Sequence, residues 1–252
     1  MKKISIITPS FNQAQFIEET ILSVKNQGYS NYEHIILDGG STDGTIEILE
    51  KYRSDIRYIS EKDAGQTDAI NRGLRMAYGD ILAFINSDDF YLPGTFHKIA
   101  DAFNHSDALW LVGDYKIIDF QGRNIQRFVI QYKKFLRENA LKRTILLANS
   151  IPQPSTFWKR EVLEEIGFFN MEYRYAFDYE YWLRIMEWNR PFLIKEPLSA
   201  FRIHSQSKGS QDFVLQMDEE LRILKARKTT PFYIKLHQLN NSFIKLVYQI
   251  IK

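Results

Sequence analysis

What most narrows the possible folds of this chain is an alternation running from Lys3 to Asp89. Short apolar runs end in polar, turn-rich clusters and are separated by stretches with helical spacing. Lys3 to Thr8 reads as a buried strand stopped by Pro9 and Asn12. Residues 13–27 place Phe16, Ile17, Thr20, Ile21 and Val24 on one helical face, with Gly28 as a stop. Tyr32 to Leu37 is again strand-like and runs into DGGSTDGT, Asp38 to Thr45. A helix through Ile46, Leu49 and Tyr52, a strand over Ile56 to Ser60 and a helix over Thr67 to Ala77 follow. Ile81 to Ile85 is an unbroken apolar run ending in Asn86-Ser87-Asp88-Asp89. Such alternation predicts an α/β fold with a mostly parallel, Rossmann-like central sheet flanked by helices. Ligands of these sheets bind beyond the carboxyl ends of the strands, where the polar clusters fall.

Beyond residue 113 the pattern loosens. Ile151 to Trp158 reads as loop then strand, Val162 to Ile166 as a short helix ended by Gly167, and Tyr181 to Trp188 as a strong helix. No repeat and no Ser/Gly/Pro-rich linker divides the 252 residues. We expect one domain over 1–220, with a nucleotide-binding half over 1–113 and an acceptor half over 114–220, followed by a helical tail over 221–252.

Composition removes whole classes of function. There is no cysteine, which excludes disulfides, thiolate metal sites and cysteine nucleophiles. A net charge of +2 is too balanced for a general nucleic-acid binder. No apolar run approaches the roughly 18 residues that span a bilayer, and Ile4 to Ile7 is too short for a leader's apolar region. The expectation is a soluble, cytoplasmic protein.

The small total hides two basic stretches. Residues 123–143 carry seven cations against Glu138 alone, and Leu221 to Lys252 carries seven with no acid. In the second stretch Phe232, Tyr233, Leu236, Leu239, Phe243 and Leu246 recur at near-helical spacing. A basic amphipathic helix suits the inner face of an anionic membrane; packing on its own domain or on a second subunit is the alternative.

Four clusters carry candidate chemistry. Asp38, at a strand end, suits a base N–H or a ribose hydroxyl, yet the glycines around it also suit a turn. Asp88 and Asp89 put adjacent carboxylates at an open strand end; Mg²⁺ or Mn²⁺ would relieve their repulsion, and a helix cap before Pro93 is the plainer reading. Asp178-Tyr179-Glu180 precedes the strong helix, so Asp178 is either a cap or a general base kept ionised by the helix dipole. Arg202-Ile203-His204 through Lys208 offers a further metal ligand in His204, with Arg202 and Lys208 beside an anion. No Walker A loop, G-x-G-x-x-G, H-E-x-x-H or G-x-S-x-G is present, so hydrolysis by zinc or by a serine triad has no support.

In this order the clusters resemble the inverting family 2 glycosyltransferases with the GT-A fold. The resemblance spans residues 3–208 and rests on ISIITPSFNQAQFIEETILSVKNQ, DGGSTDGT, DAGQTDAINRGLRMAYGDILAFINSDD, IPQPSTFWKREVLEEIGFF, FDYEYWLR and FRIHSQSKGS. Within the family it is closest in character to bacterial enzymes of O-antigen, capsule and exopolysaccharide synthesis. It implies a donor nucleotide-sugar, with UDP favoured, held by Asp38 and by Thr8, Pro9 and Ser10. Asn86, Ser87 and Asp89 would contribute to the donor site, and Asp63 and Asp68 lie in a further matching motif. Asp88 and His204 would hold Mn²⁺ or Mg²⁺, and Asp178 would be the base, with Glu180 as its substitute. The acceptor would be a saccharide or a lipid-linked saccharide. Two departures stand out: Asn86 replaces the first acid of D-x-D, and Phe177 replaces an acid that often precedes the base. Two other readings compete. A sugar-phosphate nucleotidyltransferase would want Gly, Arg or Lys after the first strand, and TPSFNQAQF has none. A non-catalytic binder would not need the carboxylates at the base and metal positions.

Overall fold

A computed structural model of the chain describes residues 1–139, 141–204 and 212–251, with side chains described as far as Lys245. In chain order the elements are β1 (Ile4–Ser10), α1 (Ile17–Lys25), β2 (Tyr32–Asp38), α2 (Thr45–Lys51), β3 (Arg57–Ser60), α3 (Gln66–Met76), β4 (Ile81–Phe84), β5 (Phe90–Tyr91) and α4 (Thr95–Asn104). The second part holds β6 (Trp110–Ile118), α5 (Arg127–Glu138), α6 (Leu141–Thr144), a 3₁₀ turn (Gln153–Ser155), β7 (Thr156–Lys159), α7 (Arg160–Ile166), α8 (Phe177–Trp188) and β8 (Phe192–Arg202). Two further helices, α9 (Phe213–Ala226) and α10 (Pro231–Ile251), complete the described chain.

The eight strands form one sheet in the order β3-β2-β1-β4-β7-β6-β8-β5. β3, β2, β1 and β4 are mutually parallel, as the alternation predicts. β7 runs antiparallel to both β4 and β6, and β8 is parallel to β6. Two reversals cancel, so β6 and β8 point the same way as β1 and β4. The carboxyl ends of β1, β2, β4, β6 and β8 therefore share one edge of the sheet, together with the start of β7 and the turn before it.

Pleating sorts the apolar side chains into two layers. Ile7, Leu82 and Phe84 face a core shared with α3, α7, α8 and α9, which includes Trp110, Trp158 and Trp182. Ile4, Ile6, Ile81, Ala83 and Ile85 face the other, with Phe96, Ile99 and Phe103 of α4. Gly73 lets α3 lie directly on the sheet, since a Cβ there would sit 2.5 Å from Ile7 Cγ2.

Several expected boundaries move. β1 continues through Pro9 to Ser10, because β4 pairs only with Ile4 to Ile7 and the missing proline N–H interrupts no central ladder there. The expected division at 113/114 cuts β6 at its bulge, and one sheet crosses both halves. The division at 220/221 cuts α9, whose Ile223 and Leu224 belong to the main core. α10 follows it and packs back on the domain through Ile234 and His237. α8 begins four residues earlier than its apolar spacing predicts, which puts Asp178 and Glu180 inside its first turn. The basic stretch at 123–143 is not one solvated face. Lys134 and Arg137 both bind Asp114 at 2.6 Å, and Arg137 is buried.

Candidate active site

At the carboxyl end of β2, Asp38 is buried and its acceptors are heavily used. Oδ2 accepts from Gly40 N, Ser41 N and Ser60 Oγ, and Oδ1 accepts from Ser41 Oγ at 2.5 Å. The residue builds the turn at the strand end, and both its oxygens are already engaged there. Beside it, Asp63 approaches Gly39, where a Cβ would meet Asp63 Oδ2 at 3.3 Å, and Asp63 Oδ1 accepts from Gly65 N. Asp68 accepts from Ala64 N and serves the start of α3, where a negative charge also meets the helix dipole favourably.

On β1, the Thr8 hydroxyl bonds His34 Nε2 at 2.9 Å within the sheet layer, so only the backbone of Thr8 and Pro9 is left for a ligand. Burial holds His34 neutral, with its pKa lowered to about 3. Ser10 Oγ, by contrast, is buried and has no hydrogen-bond partner among the described residues. A buried hydroxyl left unpaired costs roughly 1–3 kcal/mol, which a ligand at this edge would recover.

The loop after β4 separates its two carboxylates. Asp89 turns inward: Oδ1 accepts from Arg202 N at 2.8 Å and Oδ2 lies 3.3 Å from Asn86 Nδ2. Burial, reinforced by the neighbouring Asp88 charge, pushes the Asp89 carboxyl well above the usual carboxylate range. Its expected place facing the donor is thus corrected. It ties the loop to β8, because two adjacent carboxylates cannot both occupy one open edge cheaply. Ser87 is buried beside it, and its carbonyl, with that of Asp89, accepts from Thr20 Oγ1. Asn86 bridges Gln66 and Gln153, and Gln153 in turn donates to Phe84 O at 2.6 Å.

Asp88 stays partly open to solvent, and its Oδ2 lies 3.0 Å from His204 Nε2. The His204 ring packs on Phe16 at 4.6 Å. Arg202 is a brace, and the anion it meets is the Glu19 carboxylate of α1. Its buried guanidinium donates to Asp88 O through Nε and to Glu19 Oε2 through Nη2, since a buried cation must spend its donors on partners. Lys208 lies outside the described residues. Among those that are described, no group of three or more His, Asp or Glu side chains gathers as a metal cage. The Asp88–His204 pair still offers one carboxylate oxygen and one imidazole nitrogen. Such a set fits a hard divalent ion that takes its remaining ligands from a diphosphate and water.

Asp178 follows Phe177, which packs at the carboxyl end of β4. Asn71 of α3 exchanges two hydrogen bonds with Phe169, and Phe177 packs on Phe84 at 5.9 Å. The Asp178 carboxyl is raised to about 6, chiefly by burial, with the Glu220 charge adding to it; Tyr179 N, Lys133 and Asn149 oppose the rise. Such a group is ionised near neutral pH and a far better proton acceptor than an ordinary carboxylate. Glu180 is not equivalent, because both its oxygens are held by Arg184 Nε at 2.9 and 3.1 Å.

Two sets of residues escaped sequence reasoning. Asn149 lies near Asp178 and favours its ionised form, while its own Oδ1 is buried without a partner among the described residues. Glu219 of α9 accepts from three successive backbone donors, Arg174 N, Tyr175 N and Ala176 N, at 2.6–2.9 Å. That carboxylate holds the segment that leads into Asp178. Its neighbour Glu220 meets His237 Nε2 at 3.0 Å, and His237 Nδ1 faces Leu146 O. A carbonyl only accepts, so Nδ1 carries a hydrogen, and a second hydrogen must lie between Nε2 and Glu220. The motifs ending near residue 208 gave no hint of these partners; only the acids of α9 just before an acid-free tail were visible.

With this geometry in place, comparison with known proteins is informative. The family model "Glycosyl transferase family 2" matches residues 5–167. The chain is 32% identical over 148 residues to the "Putative teichuronic acid biosynthesis glycosyltransferase TuaG" of Bacillus subtilis, covering 57% of this chain and 58% of that one. It spans about half the length of several curated relatives it matches. Among solved structures, S. aureus TarS 1-349 in complex with UDP-GlcNAc superposes with a TM-score of 0.67 at 21% identity, covering 88% of this chain and 66% of that one. The mannosyltransferase PcManGT of Pyrobaculum calidifontis, in complex with GDP-Man and Mn²⁺, gives 0.63 at 18% identity, covering 97% and 75%. At these identities the likeness establishes the fold, which is GT-A.

Proposed function

The chain belongs to glycosyl transferase family 2, and from that premise we propose that it moves a sugar from a UDP-sugar to a hydroxyl of a saccharide in surface polysaccharide synthesis, with inversion at the anomeric carbon. The observation that carries this reading is the partly open Asp88 paired with His204 beyond the end of β4, with a carboxyl raised to about 6, Asp178, next to the Phe177 that packs on Phe84 of that strand. The nucleotide-sugars named for TarS and PcManGT support a donor of this class.

In this mechanism the backbone of Thr8 and Pro9, the Ser10 hydroxyl and the Asp38–Asp63 turn hold the nucleoside. Asp178 accepts the acceptor hydroxyl's proton as that oxygen attacks the anomeric carbon from the face away from the nucleotide. The bond from that carbon to the diphosphate breaks, and the nucleoside diphosphate departs with its electron pair. Asp88 and His204 are the residues that would hold Mn²⁺ or Mg²⁺, which when bound neutralises charge on the departing diphosphate.

The direct test is calorimetric titration of UDP, dTDP, GDP and CMP, each with and without Mn²⁺. UDP is expected to bind most tightly and more tightly with the metal. Failure of all four to bind in either condition would remove the donor reading.

Glu219 acts as a positioning residue in this scheme. Glu219→Ala frees three backbone donors before α8 and is expected to lower kcat about 10- to 100-fold, with KM for the donor and UDP affinity unchanged. Glu219→Gln, which keeps an acceptor oxygen, should recover part of the loss. A variant with unaltered kcat would remove α9 from the machinery.

A further inference from the structure

Helix α10 packs inward through Ile234 together with polar side chains and leaves an apolar stripe outside. Its buried face carries His237 at 0% and Asn241 at 6% exposure, whereas Phe232, Leu239 and Phe243 are 67%, 58% and 47% exposed. Positions 232, 236, 239 and 243 follow one helical stripe. His237 is anchored inward by Glu220 and Leu146 O, so the apolar stripe cannot simply roll under. α5 repeats the arrangement: Phe128 and Phe135, seven residues apart, are both 62% exposed, while Leu136 and Arg137 are buried. A hydrogen bond from Tyr132 Oη to Asn240 Oδ1 at 2.5 Å ties the two helices together. Large apolar side chains exposed in stripes on two linked helices point to an interaction site.

Charge selects among occupants. Lys235 on α10, Arg127 on α5 and Lys142 and Arg143 on α6 are all exposed, and no acid occurs after Glu220. Self-association would bring these cations together, whereas anionic lipid headgroups complement them. Among the described residues no helix is long and apolar enough to cross a membrane, so the stripe would lie on a bilayer and not through it. We propose that the joined α5–α10 surface docks on an anionic bilayer.

The test is co-sedimentation of the full chain with vesicles of phosphatidylglycerol and phosphatidylcholine, against phosphatidylcholine alone, with UDP binding measured on the same samples. The chain is expected to sediment with the anionic vesicles, less so as salt rises. Combining Phe232→Gln, Leu239→Gln and Phe243→Gln should lower partitioning at least about 100-fold with the circular dichroism spectrum retained. Lys235→Gln with Lys245→Gln should lower it roughly 10-fold. The proposal is overturned if the chain does not sediment with anionic vesicles, or if the triple variant sediments as well as the parent. It is also overturned if the stripe instead supports a concentration-dependent dimer that the triple variant abolishes. UDP binding without sedimentation overturns docking alone; sedimentation without UDP binding supports docking and overturns the donor reading.

Discussion

Replacing Asp178 with Asn is expected to lower turnover by roughly 10²- to 10⁴-fold, the usual worth of a positioned general base, with UDP affinity unchanged. The amide is nearly isosteric and still accepts from Tyr179 N, so the fold has little reason to suffer. A pH signature accompanies the loss. The Asp178 carboxyl is raised to about 6, and only its ionised form accepts a proton, so parent activity should climb with pH through about 6. Stability changes in the opposite sense. The folded chain holds this proton more tightly than the unfolded chain, whose carboxyl titrates near ~4. The stabilisation is therefore full below that value and lost as pH rises through about 6, and Asp178→Asn should abolish that part of the pH dependence. Urea unfolding of both proteins between about pH 4 and pH 7 measures it directly. Unchanged turnover in the variant would end the assignment of Asp178 as the base and leave a binder of nucleotide or glycan as the better description.

Asp88→Asn is expected to reduce turnover at least ~100-fold and, independently of activity, to erase the gain in UDP affinity that Mn²⁺ confers. The second readout separates loss of a ligand from loss of the fold. Asp88 is the carboxylate left partly open, while its charge adds to the upward shift of buried Asp89; neutralising it eases that repulsion. The variant should consequently unfold no earlier than the parent. Calorimetry showing the same metal-dependent gain in the variant would take Asp88 out of the metal site and direct attention to other residues.

The contrast between Asp88 and Asp89 shows how far sequence reading reaches. Both stand in one tetrapeptide after one apolar run, and nothing in their spacing says which faces the cleft. Burial decides: β8 passes close enough for Arg202 N to reach Asp89, and that contact belongs to a residue 113 positions away. Asp178 and Glu180 are a similar pair, split by Arg184 one helical turn on.

Local pattern carried the parallel half of the sheet. Strands that bury both faces read as continuous apolar runs, and turn chemistry ends them where the residues themselves demand it. The order of motifs from Ile4 to His204 likewise disclosed the family, because each motif is short and local. Tertiary structure alone decided the rest. It folded β7 back between β4 and β6 so that β8 delivers His204 to the Asp88 edge. It brought Glu219 to the backbone ahead of Asp178, and it buried His237 and Asn241 while leaving Phe232, Leu239 and Phe243 outside. The amphipathic period of α10 is plain in the sequence, but a period is symmetric between its two faces. Which face turns inward depends on the partner the fold supplies, here the carboxylate of Glu220 and the carbonyl of Leu146.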